Sequence, residues 1–335
     1  MPLQVVPFHD EHLDAAAALL AARHRADREP FPELPHSFGD AAAARSVLSA
    51  ALQAEGAAGV VAVRDGRAAG YLIGASVMPA PGTSMSGFIA PRSLSIGPAG
   101  YAAEPGDAYA LYRALYAALA PRWIERGCFD HYITITEGDQ AAFEAWFSLG
   151  FGRDLVFGVR DIAPIAAPSL AAVEVHQAGA EDLEVALRLV EGLYHYHAEA
   201  PIYFPYLAEN RPAWRTHAQE SLAAATDHAT FIAYRNGTPL ALIELTPPFA
   251  GPISTPDGGT YLMHGFTLAD EQGGGIGTLL LAHALDWARE AGYTTVTINW
   301  AAANIPGDRF WRGHGFRPLS CRLHRRIDER VAWGR

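Results

Sequence analysis

The sequence contains no lysine: its 25 basic residues are all arginine, in a chain of 335 residues. This absence excludes chemistry that needs a lysine, namely Schiff-base and pyridoxal-phosphate enzymes and the phosphate-binding P-loop. Cysteine is almost as scarce, since only Cys128 and Cys321 are present and their separation fits no metal-binding pattern. We therefore expect reduced cysteines and no bound metal.

Long apolar runs and an excess of basic charge are also missing. No uncharged apolar stretch approaches the roughly 18 residues that a membrane-spanning helix needs, and Met1 to Asp14 has no apolar signal-peptide core. The net charge of −11 disfavours nucleic acid, whose phosphates need a basic surface. These features predict a cytoplasmic protein without membrane or nucleic-acid partners, and they are compatible with a cationic small-molecule substrate.

The length of the chain predicts two domains, at roughly 150 residues each. A small, uncharged segment with two prolines, residues 163–172, is typical of a linker. We therefore predict domains at residues 1–162 and 173–335. Two domains in one chain resemble a dimer, so a monomer is favoured over a homodimer.

The two halves share one pattern of elements. Each begins with a short strand and two helices, followed by two strands joined through Asp65-Gly66 or Asn236-Gly237, which are strong hairpin signals. Each continues with a strand, a long helix, a strand, a short aromatic helix and a closing strand. This repeat predicts an α/β fold (α+β mixed), in which a mixed, mostly antiparallel sheet is flanked by helices in each domain.

A glycine-rich loop in the second half carries the clearest functional signal. An apolar strand, Tyr261–Leu268, precedes Gln272-Gly-Gly-Gly-Ile-Gly-Thr278, which opens an apolar helix. Glycines allow backbone amides to approach a ligand, and a helix N-terminus adds partial positive charge, so this loop can bind a diphosphate without lysine. A dinucleotide fingerprint does not fit, because neither reading frame completes Gly-x-Gly-x-x-Gly.

The spacing Gln272-x-x-Gly275-x-Gly277 resembles the Arg/Gln-x-x-Gly-x-Gly/Ala motif of the GNAT acetyltransferase superfamily. Asn304, eleven residues before Gly315, also resembles the family's pattern of Asn, two aromatics and a closing Gly-Phe. The resemblance implies two GNAT-like domains and acetyl-CoA as co-substrate. It implies that the donor is held by Phe266, Thr267, Leu268, Gln272, Gly273, Gly274, Gly275, Ile276, Gly277, Thr278, Asn304 and Trp311.

Two departures from the family pattern accompany this resemblance. Trp311 stands where the family often has a tyrosine that protonates the leaving thiolate, and an indole has no acidic proton to give. In the first half, Asp107, Ala110 and Tyr112 stand at the positions of Gln272, Gly275 and Gly277. We expect a carboxylate and a bulky ring to occupy that half's diphosphate site, so that it binds no coenzyme A.

Three residues are candidates for the catalytic base. Glu244 is a carboxylate in an otherwise apolar strand, which is costly unless it faces a polar cleft or solvent. His264 has a suitable ordinary pKa, with core packing as the alternative. Tyr261 occupies about the position where the resemblance places a carboxylate base, but strand alternation puts it opposite His264 unless a β-bulge intervenes.

An aromatic connection from Tyr194 to Leu207 is expected to border the acceptor pocket, where Glu191 and Glu199 could help to hold a cation; loop packing is the alternative.

The sequence therefore predicts an acyl-CoA-dependent N-acetyltransferase that transfers an acetyl group directly to a primary amine of a small molecule. Two alternatives remain: a non-catalytic acyl-CoA sensor, and a protein or peptide N-acetyltransferase.

Overall fold

The computed structural model describes residues 3–224, 226–248 and 251–333. In the N-terminal half the strands and long helices are β1 Gln4–Pro7, α1 Leu13–Arg28, α2 Ala41–Gln53, β2 Ala57–Arg64, β3 Arg67–Val77, β4 Ser93–Ile96, β5 Tyr101–Ala103, α3 Ala108–Ile124, β6 Asp130–Thr136, α4 Gln140–Ser148 and β7 Gly152–Asp161. None of the helices in the described ranges combines the length and the apolar character that crossing a membrane requires.

The C-terminal half repeats this order of elements after a segment without helix or strand at residues 162–172. Its elements are β8 Val173–Gln177, α5 Leu183–Ala198, α6 Arg211–Ala223, β9 Ala229–Arg235, β10 Thr238–Thr246, β11 Gly259–Thr267, α7 Ile276–Glu290, β12 Thr295–Ala301, α8 Ile305–Gly313 and β13 Arg317–Arg326. The aromatic residues from Tyr194 to His197 therefore belong to the last turns of α5, whereas the sequence placed them in a connection.

Thirteen strands of the described chain form one mixed sheet, in the order β1-β2-β3-β4-β6-β13-β7-β12-β11-β10-β9-β8, with β5 paired to β3. Two pairs are parallel, β4 with β6 and β11 with β12; the others are antiparallel. The predicted mixed, mostly antiparallel sheet with flanking helices is confirmed.

The hairpins form where the sequence predicts them. Asp65 and Gly66, like Asn236 and Gly237, have positive φ angles between 51° and 77°. Two consecutive positive φ angles match the twist of the flanking antiparallel strands, which explains the choice of residues that tolerate this region.

The closing strands of the two halves are exchanged, which the repeat did not predict. β13 lies between β6 and β7, and β7 in turn pairs with β12 of the C-terminal half. Each half thus completes the sheet of the other, and the buried core is continuous across the junction. The N-terminal half consequently supports the elements that hold the candidate site.

Candidate functional site

The glycine loop, residues 272–278, enters α7 with the geometry of an anion site. Gly273 and Gly275 have φ angles of +78° and +88°, a region that favours glycine. Gly275 caps α7, which begins at Ile276, so the first amides of the helix have no partner within it. A Cβ added at Gly273 would meet no atom within 4 Å, so the space beside this backbone is open. The loop can therefore receive a diphosphate at the positive end of the helix dipole.

A wedge opens beside this loop between β11 and β12. The two strands pair in parallel only from Gly259 with Thr295 to Leu262 with Ile298. β11 then continues to Thr267 without this partner, while the last residues of β12 pair with β7 on the other side. Backbone groups along the open edge of β11 are therefore available to an extended ligand arm.

Three residues were predicted to pair with the donor, Phe266 and Thr267 of β11 and Leu268 directly after it, and they differ in orientation. The Leu268 amide donates to the Leu240 carbonyl over 2.9 Å, so it faces β10 rather than the wedge. Antiparallel alternation turns Phe266 the same way and Thr267 toward the open edge. The Phe266 ring packs against α5, where a Cβ at Gly192 would lie 2.8 Å from it. Among the three, the backbone of Thr267 is the one placed to contact a ligand in the wedge.

The remaining predicted donor residues surround the loop and the wedge. Gln272 Nε2 donates to the Thr267 carbonyl over 3.1 Å, and Thr278 Oγ1 lies 3.0 Å from His314 Nε2. Ile276 is buried and anchors α7 in the core. Asn304 caps α8, since its Oδ1 accepts from the Gly307 amide at 3.0 Å. These contacts fix the shape of the loop and the start of α8.

Trp311 lies at the wall of the wedge. Its ring would stand 3.2 Å from a Cβ at Gly265 of β11, and it packs edge-to-face against Phe316. The close approach explains why β11 has a glycine there. The indole of Trp311 cannot donate an acidic proton. Its role in the wedge is therefore limited to the space that the ring fills.

A β-bulge in β11 brings the three candidate catalytic residues to one face of the sheet. Glu244 of β10 is opposite His264, but Leu245 is opposite Leu262, so one extra residue intervenes in β11. This bulge restores Tyr261 to the face that carries His264 and Glu244. Simple alternation would place the Tyr261 and His264 side chains on opposite faces of the sheet. The β-bulge, which the sequence left possible, places them on the same face.

These residues form an imidazole network, which we define as Tyr194, His217, Glu244 and His264. His264 Nδ1 lies 2.5 Å from Glu244 Oε2, and His217 Nε2 lies 3.1 Å from Glu244 Oε1. The Tyr194 hydroxyl lies 3.2 Å from His264 Nε2. Because a carboxylate can only accept, His264 donates from Nδ1, and its neutral form accepts from Tyr194 at Nε2.

The network keeps Glu244 ionised although it is buried. Burial alone would raise the pKa of the carboxyl, but the charges and hydrogen bonds of His264 and His217 hold that pKa well below its usual range. The hydrogen bond to Glu244 raises the pKa of His217 above its ordinary value, against the opposing effect of burial. A fixed carboxylate thus orients His264 toward Tyr194, as a positioned base requires.

Tyr261 has a hydrogen-bond partner of its own. Its hydroxyl accepts from Asn299 Nδ2 at 2.6 Å, and burial raises the pKa of Tyr261 far above its ordinary value. A phenol with so high a pKa is a weak proton acceptor at neutral pH. The geometry therefore favours His264 over Tyr261 as the base.

A family comparison agrees with this geometry. The model described as "Acetyltransferase (GNAT) family" matches residues 193–316, which include the network, the glycine loop and α8. The greater part of the C-terminal half is thus similar to the GNAT family. No curated protein sequence matches the chain significantly.

Solved structures extend the GNAT fold to the whole chain. A GCN5-related N-acetyltransferase from Sphaerobacter thermophilus is similar with a TM-score of 0.60 and 15% identity, over 97% of this chain and 95% of that one. A tandem GNAT protein from the clavulanic acid biosynthesis pathway is similar with a TM-score of 0.50 and 15% identity, over 97% and 98% of the two chains. At this identity the matches show a shared tandem fold.

The N-terminal GNAT-like half lacks the glycine loop. α3 begins at Ala108, directly after Asp107, and the Asp107 carboxylate pairs with Arg64 at this helix end. The sequence suggested that the ring of Tyr112 occupies the diphosphate position. In the structure this ring is instead buried against Tyr101. The reason is that α3 starts at Ala108, which places position 112 in its second turn, facing the core.

Side chains also fill the region that corresponds to the wedge in the N-terminal half. The Arg23 guanidinium is buried, donates to the carbonyls of Pro98 and Tyr101, and lies 3.4 Å from Asp27. The Tyr101 hydroxyl accepts from the Thr136 amide at 3.4 Å and spans the gap between β5 and β6. These contacts stabilise a closed structure where the C-terminal half is open.

An aromatic pocket, defined by Phe88, Tyr194, His197, Phe204, Asn210 and Trp214, lies between the two halves. The space left among these rings is about that of one water molecule. Tyr194 stacks on Trp214 with ring centres 4.3 Å apart, and Phe88 of the N-terminal half contacts both Tyr194 and Phe204. Since Tyr194 also bonds to His264, these rings pack beside the imidazole network.

His217 and Phe88 are the residues of this site that the sequence did not reveal. His217 appeared only as one polar position in a helix, and nothing local shows that α6 packs over Glu244. Phe88 lies in a segment with no repeat partner of clear function, and its role depends on how the halves meet. Both are consequences of tertiary packing rather than of local pattern.

The His217–Glu244 pair predicts a pH-dependent contribution to stability. Because folding raises the pKa of His217, the pair stabilises the protein fully below the unfolded pKa of about 6.5 and loses this contribution as pH rises through the folded pKa. His217→Asn should therefore lower the free energy of unfolding more at pH 6 than at pH 9. Urea denaturation at both pH values measures the difference; a loss that is equal at both, or larger at pH 9, would contradict this account.

The same three groups, His217, Glu244 and His264, are of the kind that can bind a divalent metal, with ligand atoms within 4.8 Å of one another. Their mutual hydrogen bonds explain the arrangement without an ion.

Proposed function

We propose that the chain is an N-acetyltransferase that transfers an acetyl group from acetyl-CoA to a primary amine of a small molecule. The observation that carries this proposal is the row Tyr194, His264 and Glu244, which joins the aromatic pocket to the β11 strand that borders the wedge. A candidate base thus lies on the strand along which the donor would lie.

The glycine loop and wedge fit the donor in charge and in shape. Left-handed glycines, open space at Gly273 and the amides at the start of α7 suit a diphosphate. The exposed edge of β11 at Thr267 suits the amides of a pantetheine arm. Bound here, acetyl-CoA would supply the activated acetyl group.

The residues of the chain then have distinct tasks. The acceptor ammonium would approach Tyr194, which takes up its proton while giving its own to His264 Nε2. Glu244 stabilises the imidazolium that forms. Trp311 narrows the wedge but supplies no proton, so the leaving thiolate must be protonated by water or by another side chain.

The imidazole network favours an enzyme over the alternative of a non-catalytic acyl-CoA sensor. A binding protein needs the loop and the wedge, but it has no need of a buried carboxylate that orients an imidazole toward a pocket. A peptide acceptor would require an open groove, and the small gap among the aromatic rings at Tyr194 offers none. A small amine is the acceptor that this geometry favours.

Calorimetry with acetyl-CoA and a thiol-release assay with a panel of primary amines test the proposal together. We expect one acetyl-CoA site per chain, and thiol release that depends on an amine and yields its acetyl derivative. Tight binding without transfer to any amine would instead favour the sensor.

A further inference from the structure

The imidazole network brings three metal-ligating side chains together. His217 Nε2 lies 3.1 Å from Glu244 Oε1, and His264 Nδ1 lies 2.5 Å from Glu244 Oε2. The ligand atoms of the three groups all lie within 4.8 Å of one another, and no other such group of three occurs among the described residues. Two imidazole nitrogens and one carboxylate are a ligand set that binds zinc in proteins, with the fourth position left to water.

The burial of these groups leaves a path for an ion. Glu244 and His264 are only 4% and 7% exposed and lie in paired strands, whereas the His217 side chain on α6 is 31% exposed. Tetrahedral zinc with bonds of about 2.0 to 2.2 Å needs ligand atoms about 3.4 Å apart, so shifts on the order of 1 Å suffice. His217 can make such a shift from the surface, and the buried Glu244 carboxylate attracts a cation strongly.

A further contact supports His264 as a ligand. Its Nε2, on the far side of the ring from Glu244, lies 3.2 Å from the Tyr194 hydroxyl. The Tyr194 ring is held in place by stacking on Trp214, with ring centres 4.3 Å apart. Histidines that bind a metal usually donate their other N–H to a fixed oxygen, which orients the imidazole. The Tyr194 hydroxyl oxygen can serve as that acceptor.

An ion and a proton acceptor need different tautomers of His264. As a base, the neutral ring keeps its hydrogen on Nδ1, facing Glu244, and its lone pair on Nε2, facing Tyr194. An ion bound at Nδ1 requires the lone pair there and the hydrogen on Nε2. The ring loses one proton to solvent at Nδ1 and gains one at Nε2, so its charge is unchanged. In that tautomer Nε2 donates to Tyr194 and cannot accept its proton.

From these observations we propose that His217, Glu244 and His264 form a zinc-binding site, and that the bound ion inhibits the protein. The inhibition rests on the proposed acetyl transfer, whereas the metal site does not. The ion acts as an inhibitor and not as a cofactor, because the metal-free network already contains the tautomer that a base requires. Magnesium, which prefers oxygen ligands, does not substitute for zinc.

Calorimetric titration of the metal-free protein tests the site. We expect one tight zinc site per chain and none for magnesium. His217→Asn should weaken zinc binding at least about 100-fold, since even loss of a residue that only supports a ligand costs about 10- to 100-fold. His176→Asn is the matched control, because it removes an exposed histidine 3.3 Å from the Glu174 carboxylate, and zinc affinity should not change.

Two outcomes would overturn the metal site: weak binding of several zinc ions without a tight one, or equal zinc affinity in the wild type and His217→Asn. If His217→Asn folds poorly, cobalt bound to the wild-type protein decides the question through its visible absorption. The spectrum of a tetrahedral complex, displaced by one equivalent of zinc, is expected. An octahedral spectrum would contradict the site.

Inhibition is measured separately, as formation of the acetylated amine, because a released thiol itself binds zinc. One equivalent of zinc should lower kcat at least about tenfold, and EDTA should restore it. Acetyl-CoA affinity should stay within about threefold, since the ion lies outside the glycine loop. Tight zinc binding with unchanged kcat would refute the inhibition. Absence of product with and without zinc would contradict acetyl transfer, while the titration alone decides the metal site.

Discussion

Replacing His264 by asparagine should lower kcat for acetyl transfer by about 10²- to 10⁴-fold, the usual contribution of a positioned general base. The expectation follows from the 2.5 Å contact of its Nδ1 with Glu244 and from the Tyr194 hydroxyl at its Nε2. Acetyl-CoA affinity should remain within about threefold of the wild-type value, since His264 lies outside the glycine loop. Steady-state kinetics and calorimetry on the same preparation measure both quantities.

Two controls separate this effect from general damage. His176→Asn removes an exposed histidine of β8 and should leave kcat unchanged. Dialysis of the wild-type protein against EDTA should also leave kcat unchanged, because hydrogen bonds explain the arrangement of the network. Activity of His264→Asn close to wild type would exclude His264 as the base, and loss of wild-type activity on chelation would assign the network to a metal.

The second large effect is expected at the glycine loop. Gly275→Glu places a carboxylate at the N-terminus of α7, where the account puts the diphosphate, and should weaken acetyl-CoA binding at least about 100-fold. The matched change in the other half, Ala110→Glu, lies on an exposed position of α3 and should have no effect. Calorimetric titration compares the two variants directly.

Backbone strain could also explain weaker acetyl-CoA binding by Gly275→Glu, because the φ of +88° at this position disfavours residues with a side chain. Gly275→Asn resolves this, since asparagine tolerates the left-handed region better and adds no charge. We expect Gly275→Asn to bind acetyl-CoA within about tenfold of the wild type. An equal loss in both Gly275 variants would attribute the effect to strain, and equal losses for Gly275→Glu and Ala110→Glu would contradict a single donor site.

The sequence predicted the repeat, the hairpins and the glycine loop because each depends on local chemistry. The dipeptides Asp-Gly and Asn-Gly favour a hairpin turn wherever they join two strands, as Asp65-Gly66 and Asn236-Gly237 do. A glycine loop before an apolar helix is likewise a local feature, and it restricts the class of ligand that can bind. Glu244 and His264 were recognisable as polar residues in apolar strands. Their pairing depended on the register of β10 and β11, which the sequence did not determine.

The features that the sequence did not predict come from long-range packing. The exchange of β7 and β13 requires both halves to be folded together, and the bulge that turns Tyr261 toward His264 is a property of two paired strands. Tyr112 is a further example, because its burial depends on the residue at which α3 begins and not on its being a tyrosine. His217 and Phe88 acquire a role only after α6 and the two halves have packed.

A crystal structure of the complex with acetyl-CoA tests the central claim most directly. The account predicts the diphosphate against the amides of residues 273–278, the pantetheine arm along the open edge of β11, and the acetyl group directed toward Tyr194 and His264. A diphosphate bound in any other crevice, with the glycine loop empty, would contradict it.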